Sequence, residues 1–528
     1  MQYVSEKVVR LWILVALVVA GQWVLAAQAP PTPALLLQAA DAFMANLRYQ
    51  EALVAYRAAR QTDDTVLRIR AGAGAVRALL RVGLFTAAQR EGELIAKADP
   101  QQAAAGAING DALWAAGLFP EAEDRYAAAL ALDAHEPRAL HGVGRSLAAR
   151  QRLDEALADL ALATSIDPRE PMYQYSLGMT YVQLRRYEEA ASALTRYADL
   201  LSKHDLDLMR SARTQAKFLR SFGKRAPFEM LSGDAEVYTV PFRTVDDQMI
   251  VSGRVNGTSV DMVVDTGVEH AVISPAIAER AGVKAVATLD TAGVGDFGFG
   301  IRGMQIARLD RLEVGTLRVN NVTCLIASPS LPEMPSPETE TFSPLALGLS
   351  MTIDYRRGVL TMARQLPERA YEITLPLRMA RLPIVRGLVN GSSPVSFVLD
   401  TGSQDTSLGR SVVAQLNTDP TVRHVPVKVY GRGGWDRSAF LLPYVDVELA
   451  SGAGLRKTSV IVLSLDAPSA LLGFQVGGVI GHGFLSQYAV AIDLQRSQVG
   501  LQRAPATGSG GSVPDRPPSA SARRMPKH

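Results

Sequence analysis

One cysteine, Cys324, in 528 residues excludes an intramolecular disulfide and a cysteine-based zinc cluster, so the fold is held by packing. Histidine is scarce as well. The seven histidines (135, 141, 204, 270, 424, 482 and 528) form no H-E-x-x-H and no pair at helical ligand spacing, and neither a metal nor another cofactor is expected. An excess of charge of one sign is also missing: 55 basic against 52 acidic residues leave a net charge of +3, which gives no field to draw in nucleic acid. Long hydrophobic runs are almost absent. The one such run, Leu11 to Ala27, is interrupted by Gly21 and Gln22 and falls short of the ~20 residues that cross a bilayer. Lys7 and Arg10 precede it, and Ala26, Ala27 and Ala29 follow. This pattern predicts a signal peptide over residues 1–27 and an exported protein, periplasmic or secreted; the alternative is an uncleaved inner-membrane anchor. An exported chain without disulfides suggests a bacterial envelope.

What is present is the composition of a globular protein, 48% hydrophobic and 20% charged, long enough for about three or four domains. Over residues 33–203 a period of 34 aligns Gly110, Gly144 and Gly178, and also Ala88, Ala122, Ala156 and Ala190. Tyr126, Leu160 and Leu194 keep the same step, and Pro100 and Pro168 stand where a second helix would end. The pattern resembles the tetratricopeptide repeat. About five units are counted, the first, around Ala52, out of step by two residues. Stacked helix pairs bury one continuous core and leave a concave face that suits a protein or peptide partner. Residues 204–231 read as a capping helix and linker.

From about Val237 the pattern changes to short β-branched runs punctuated by glycine, the signature of an all-β region. One lobe recurs. SGRVNGTSVDMVVDTG and VRGLVNGSSPVSFVLDTG both place Val-Asn-Gly, a strong hairpin signal, before Asp265-Thr266-Gly267 and Asp400-Thr401-Gly402. The lobe ends match too, MTIDYRRGVLTM against AVAIDLQRSQVGL. On these motifs the region resembles the aspartic peptidases, and specifically the retropepsin-like lobe of bacterial proteins fused in tandem, lobe one at 232–365 and lobe two at 371–504. The chain is thus expected to be multidomain, an all-α tetratricopeptide solenoid followed by an all-β bilobal acid-protease fold, the two modules folding separately.

The resemblance implies an endopeptidase in which Asp265 and Asp400 share one proton and activate water against a peptide bond. Thr266 and Thr401 would brace the two loops, and Gly267 and Gly402 would permit the tight turns. Ser403 would support the dyad through a hydroxyl bond to Asp400, which would leave the proton on Asp265, since Val268 at the matching position donates nothing. Glu269, His270, Gln404 and Asp405 would line the substrate cleft, with Phe297, Phe299 and Trp435 at the tips of two glycine-rich hairpins. The family's hydrophobic-hydrophobic-Gly segment is supplied by Val479-Ile480-Gly481 in lobe two; in lobe one Ala346-Leu347-Gly348 is the candidate, although it stands 6 residues before the Ile-Asp pair against 12 in lobe two. The alternatives are a catalytically inactive peptide-binding scaffold on the same lobes, and lobes that pair between chains. His482 reads as a surface residue at a helix start and Cys324 as a buried strand residue. The Pro-, Ser- and Gly-rich stretch 505–528 is expected to be disordered.

Overall fold

The computed structural model describes residues 31–231, 237–289, 304–327, 340–391, 394–416, 424–431, 434–436 and 438–503. The expected signal peptide, the stretch 505–528 and the candidate hairpin tip at Phe297 and Phe299 lie outside the described residues, as does the side chain of Trp435.

Eleven helices occupy the N-terminal half of the described residues. They are α1 (Pro33–Ala45), α2 (Tyr49–Ala59), α3 (Thr65–Arg81), α4 (Phe85–Ala98), α5 (Ala103–Ala115), α6 (Phe119–Leu132), α7 (Pro137–Ala149), α8 (Leu153–Ile166), α9 (Pro171–Gln183), α10 (Tyr187–Leu200) and α11 (Leu206–Arg220). The first ten make five helix pairs and α11 closes the stack. The 34-residue period reads directly as packing: a Cβ added at Gly110 would stand 2.5 Å from the ring of Tyr126, one at Gly144 2.7 Å from Leu160, and one at Gly178 3.1 Å from Leu194. The missing side chain on one helix is the space that the large residue of the next helix fills. The turn inside each pair carries a left-handed residue on the same period, Gly83, Gly117, Gln151 and Arg185, with Leu47 two residues out of step. Glycine takes that conformation without strain.

The C-terminal half forms three principal sheets. One belongs to lobe one and one to lobe two, while a third of six strands takes Val237–Pro241, Ser350–Asp354 and Val359–Ala363 from lobe one and Ile373–Pro376, Tyr488–Asp493 and Gln498–Arg503 from lobe two. Its central pairing is antiparallel, Met351 against Ile492 and Ile353 against Val490. A shared sheet joins the lobes within one chain. The matching lobe ends seen in the sequence are the strands that meet there.

The helical array packs against both lobes through two buried apolar clusters. Trp114, Phe119 and Tyr126 share one buried cluster with Ile384, Val398, Leu465, Phe474 and Val476 of lobe two. Tyr187, Phe218, Leu219 and Phe222 form another with Ile306 of lobe one. Amphipathic periodicity states that a helix face is buried without naming its partner, and here part of that partner is β-sheet. Among the described residues no helix is long and apolar enough to cross a membrane.

Candidate active site

Each Asp-Thr-Gly is delivered by a hairpin. Strands Gln248–Val255 and Thr258–Val264 are joined by the two-residue turn Asn256-Gly257, and strands Leu382–Val389 and Pro394–Leu399 by residues 390–393, of which Asn390 and Gly391 are described. Asn256 and Gly257 have positive φ (48° and 85°), as a tight two-residue turn requires, and Asn390 and Gly391 share that conformation (51° and 64°). Beyond the second strand of each hairpin the chain leaves the sheet, and the aspartate is anchored through its backbone: Asp265 N–H donates to Phe342 O and Asp400 N–H to Ile480 O, both at 3.0 Å.

The two loops then lock together. Thr266 Oγ1 donates to Leu399 O (2.7 Å) and accepts from Thr401 N–H (3.0 Å); Thr401 Oγ1 donates to Val264 O (2.7 Å) and accepts from Thr266 N–H (3.1 Å). Four buried hydrogen bonds therefore cross the pseudo-two-fold axis. Above them Gly267 N–H donates to Asp265 Oδ1 and Gly402 N–H to Asp400 Oδ1, each at 2.8 Å. A Cβ at Gly267 would lie 2.6 Å from the Asp400 carboxyl carbon, and one at Gly402 2.6 Å from that of Asp265. Glycine is the residue that lets each loop approach the opposite carboxyl.

The carboxyls of Asp265 and Asp400 are within hydrogen-bonding reach of one another. Burial first, and then the negative charge of Asp265, push the Asp400 carboxyl up to about 8, against the pull of the Gly402 and Ser403 amides. The Ser403 hydroxyl donates to the carbonyl of Asp405 at 3.3 Å and not to Asp400, so the bond expected from the sequence to favour the charged form of Asp400 is not made.

The other expected cleft residues include two that make contacts between the lobes. Glu269 forms a paired-oxygen ion pair with Arg381 of lobe two, with Arg381 Nη2 donating to Glu269 Oε2 at 2.6 Å. Burial alone would raise the Glu269 carboxyl, but the guanidinium outweighs it and holds the group below its usual range. His270 is pushed down by burial, with Glu269 opposing. Gln404 Nε2 donates to Asp246 O at 2.6 Å, and Asp405 is raised by burial and by the charge of Asp247. Arg381 went unnoticed in the sequence. It is a left-handed turn residue just before the first strand of its hairpin, as Asp246 and Asp247 are in lobe one.

Two further readings need correction. Ala346-Leu347-Gly348 does not pack beside the Asp265 loop; Leu345–Leu347 is a short 3-10 turn. The strand parallel to Thr258–Val264 is Thr341–Phe342, with Phe342 opposite Val264, as Ile480 is opposite Leu399. Ser343 therefore stands where lobe two has Gly481, and the absence of glycine hid the motif. His482 does start a helix, His482–Leu485, but it is buried rather than on the surface, its ring edge-on to Tyr355 at 5.1 Å. Cys324 is fully buried in the strand Leu317–Ile326, as read from the sequence. Among the described residues no cluster of His, Cys, Asp or Glu has the arrangement of a metal site.

A family model described as aspartyl protease matches residues 251–350 and again 385–482. No curated protein matches the chain. Solved structures with similar folds include a thermophilic tetratricopeptide protein of Thermus thermophilus, at 19% identity over 35% of this chain and 98% of that one, TM-score 0.29. An aspartic proteinase from Irpex lacteus is 12% identical over 52% of this chain and 99% of that one, TM-score 0.32. The C-terminal half of the chain is a tandem pair of aspartyl-protease-type lobes, carried behind a tetratricopeptide-type helical array.

Proposed function

We propose that the chain is an exported aspartic endopeptidase whose dyad is Asp265 and Asp400. The observation that carries this reading is the pair of carboxyls held in mutual reach by the Thr266–Thr401 brace, with Asp400 pushed well above the usual carboxylate range. Two adjacent buried carboxyls do not both ionise near neutral pH. With the proton on Asp400, the charged Asp265 takes a proton from water as that water adds to the peptide carbonyl. Asp400 gives its proton to the carbonyl oxygen, and the tetrahedral adduct collapses with proton return to the leaving amine. Neither a covalent intermediate nor a cofactor enters. Glu269, His270, Gln404, Asp405 and Arg381 form the flanks against which an extended polypeptide lies, and the stacked helix pairs of the array recruit a protein partner. Export is proposed from the basic, apolar and small-residue succession over residues 1–27.

Asp265→Asn and Asp400→Asn test the reading in the full chain. Each is expected to abolish cleavage of a denatured protein substrate while leaving the fold intact, because each removes an acid or a base that no neighbour replaces. Cleavage retained by either variant refutes the dyad, and a wild type that binds peptide without cutting it identifies the scaffold.

A further inference from the structure

We infer that the turn between α5 and α6 is a positioning element for Asp400, which makes the helical array a working part of the catalytic unit as well as a recruiting surface. The inference rests on the peptidase reading for its meaning, but not for its geometry.

Asp400 is placed by the strand Pro394–Leu399, and in every strand alternate residues face opposite sides. On the inner side Phe397 and Leu399 lie in the core of the lobes. On the other side the strand is covered by the array. The Ser396 hydroxyl donates to Gly117 O at 2.6 Å, and Val398, two residues before the aspartate, belongs to the same buried cluster as Trp114 and Phe119. Gln475, which lies close to the parallel neighbour strand Gly478–Ile480, donates its backbone N–H to Ala115 O at 2.7 Å. Phe119 meets Phe474 edge to face, with ring centroids 5.0 Å apart. Glu123 accepts three bonds from the buried Arg378, the shortest at 2.8 Å.

These contacts bear on one lobe's aspartate strand and not on the other's. The array meets lobe one elsewhere: α11 and Tyr187 pack with Ile306, Val286, Ala287 and Leu325, and Arg185 donates to Phe228 O and Leu347 O. One helical body therefore touches the strand that ends in Asp400 and, at its far end, the framework of the lobe that carries Asp265. The carboxyl separation is set by how the lobes sit together, and a body fixed to both fixes that placement. Misplacement of reacting groups by about 1 Å is enough to cost on the order of 100-fold in rate.

Gly117 and Gly83 supply a matched comparison. Both occupy the left-handed turn position of their repeats, φ 78° and 73°. A Cβ at Gly117 would stand 3.0 Å from Gln475 O and 3.1 Å from Ser396 Oγ, whereas one at Gly83 meets nothing within 4 Å. Gly117→Ala and Gly83→Ala thus impose the same backbone strain, and only the first presses on lobe two. In the full-length protein, Gly117→Ala is expected to lower kcat about tenfold or more with KM within about twofold, and to speed hydrogen exchange of the amides of 395–399. Gly83→Ala is expected to leave both near wild type. Ser396→Ala, which removes the hydroxyl without adding strain, is expected to move both readouts in the same direction as Gly117→Ala. Equal exchange and equal kcat in the two glycine variants overturn the inference. If the wild type cleaves nothing, the peptidase reading fails separately, and the exchange comparison still decides: faster exchange in Gly117→Ala alone upholds the positioning of the strand, equal exchange refutes it.

Discussion

Replacing Thr401 with valine isolates the work of one hydroxyl in the brace beneath the carboxyls. The side chain is fully buried, and valine keeps its shape while losing one donor and one acceptor. The lost bonds are those to Val264 O and from Thr266 N–H, and neither backbone group has water at hand to replace them. Each unsatisfied buried group costs about 1–3 kcal/mol, so the loss of both partners is expected to destabilise by about 2–6 kcal/mol. Thr401→Ser keeps both bonds and loses a methyl, which costs about 1 kcal/mol. Urea denaturation measures the difference as a lower midpoint at unchanged slope. Valine and serine variants that lose equal stability would refute the argument, because they would show that packing and not hydrogen bonding holds the loops. The same valine variant is expected to lose cleavage more steeply than stability, since the brace also fixes the approach of the two carboxyls.

The raised Asp400 makes a signed prediction about pH. Its folded form keeps a proton that the unfolded chain releases near pH 4, so this group's contribution to stability is present in acid, declines as pH rises from about 4 to about 8, and is gone above that. Cleavage is expected to fall over the same upper limb as the proton donor is lost, and a rate profile still climbing above pH 9 would contradict it. Ser403→Ala is expected to leave that limb in place, because the hydroxyl serves Asp405 O. Gly481→Ala is expected to abolish folding of lobe two, since its Cβ would press to 2.5 Å on Asp405 O and 2.7 Å on Ser403 O. A soluble, protease-resistant Gly481→Ala protein would show that the loop yields.

The features legible in the sequence were those written in local chemistry. Asn-Gly followed by an apolar strand and Asp-Thr-Gly dictates a turn, a strand and a loop within about ten residues, and the structure has all three in both lobes. The 34-residue period was legible because the close approach of two helices demands a small residue at a fixed place. Contacts between distant parts were not. Phe119 and Phe474 each read as core without announcing one another, and Arg381 acquires its meaning from Glu269, 112 positions away. Ser343 shows a third limit: the strand that flanks the Asp265 loop is recognised by a glycine in lobe two, and lobe one builds the same strand without it. Ser403 was the right residue type to stabilise a charge, and its hydroxyl points the other way.

The sheet shared by the two lobes has a consequence for how the chain is made. Ile353 pairs with Val490, 137 positions later in the chain, and that length must emerge before the pairing exists. At synthesis rates of about 5–20 residues per second the earlier strand waits on the order of ten seconds. During that interval Ser350–Asp354 has its hairpin partner Val359–Ala363 on one side and a row of bare amides and carbonyls on the other. An open edge of that kind adds any extended segment that reaches it, including the same strand of a neighbouring nascent chain. Lobe one therefore passes through an adhesive youth that ends when its twin arrives, and the risk of mispairing is set by the spacing of molecules during synthesis more than by the stability of the finished fold.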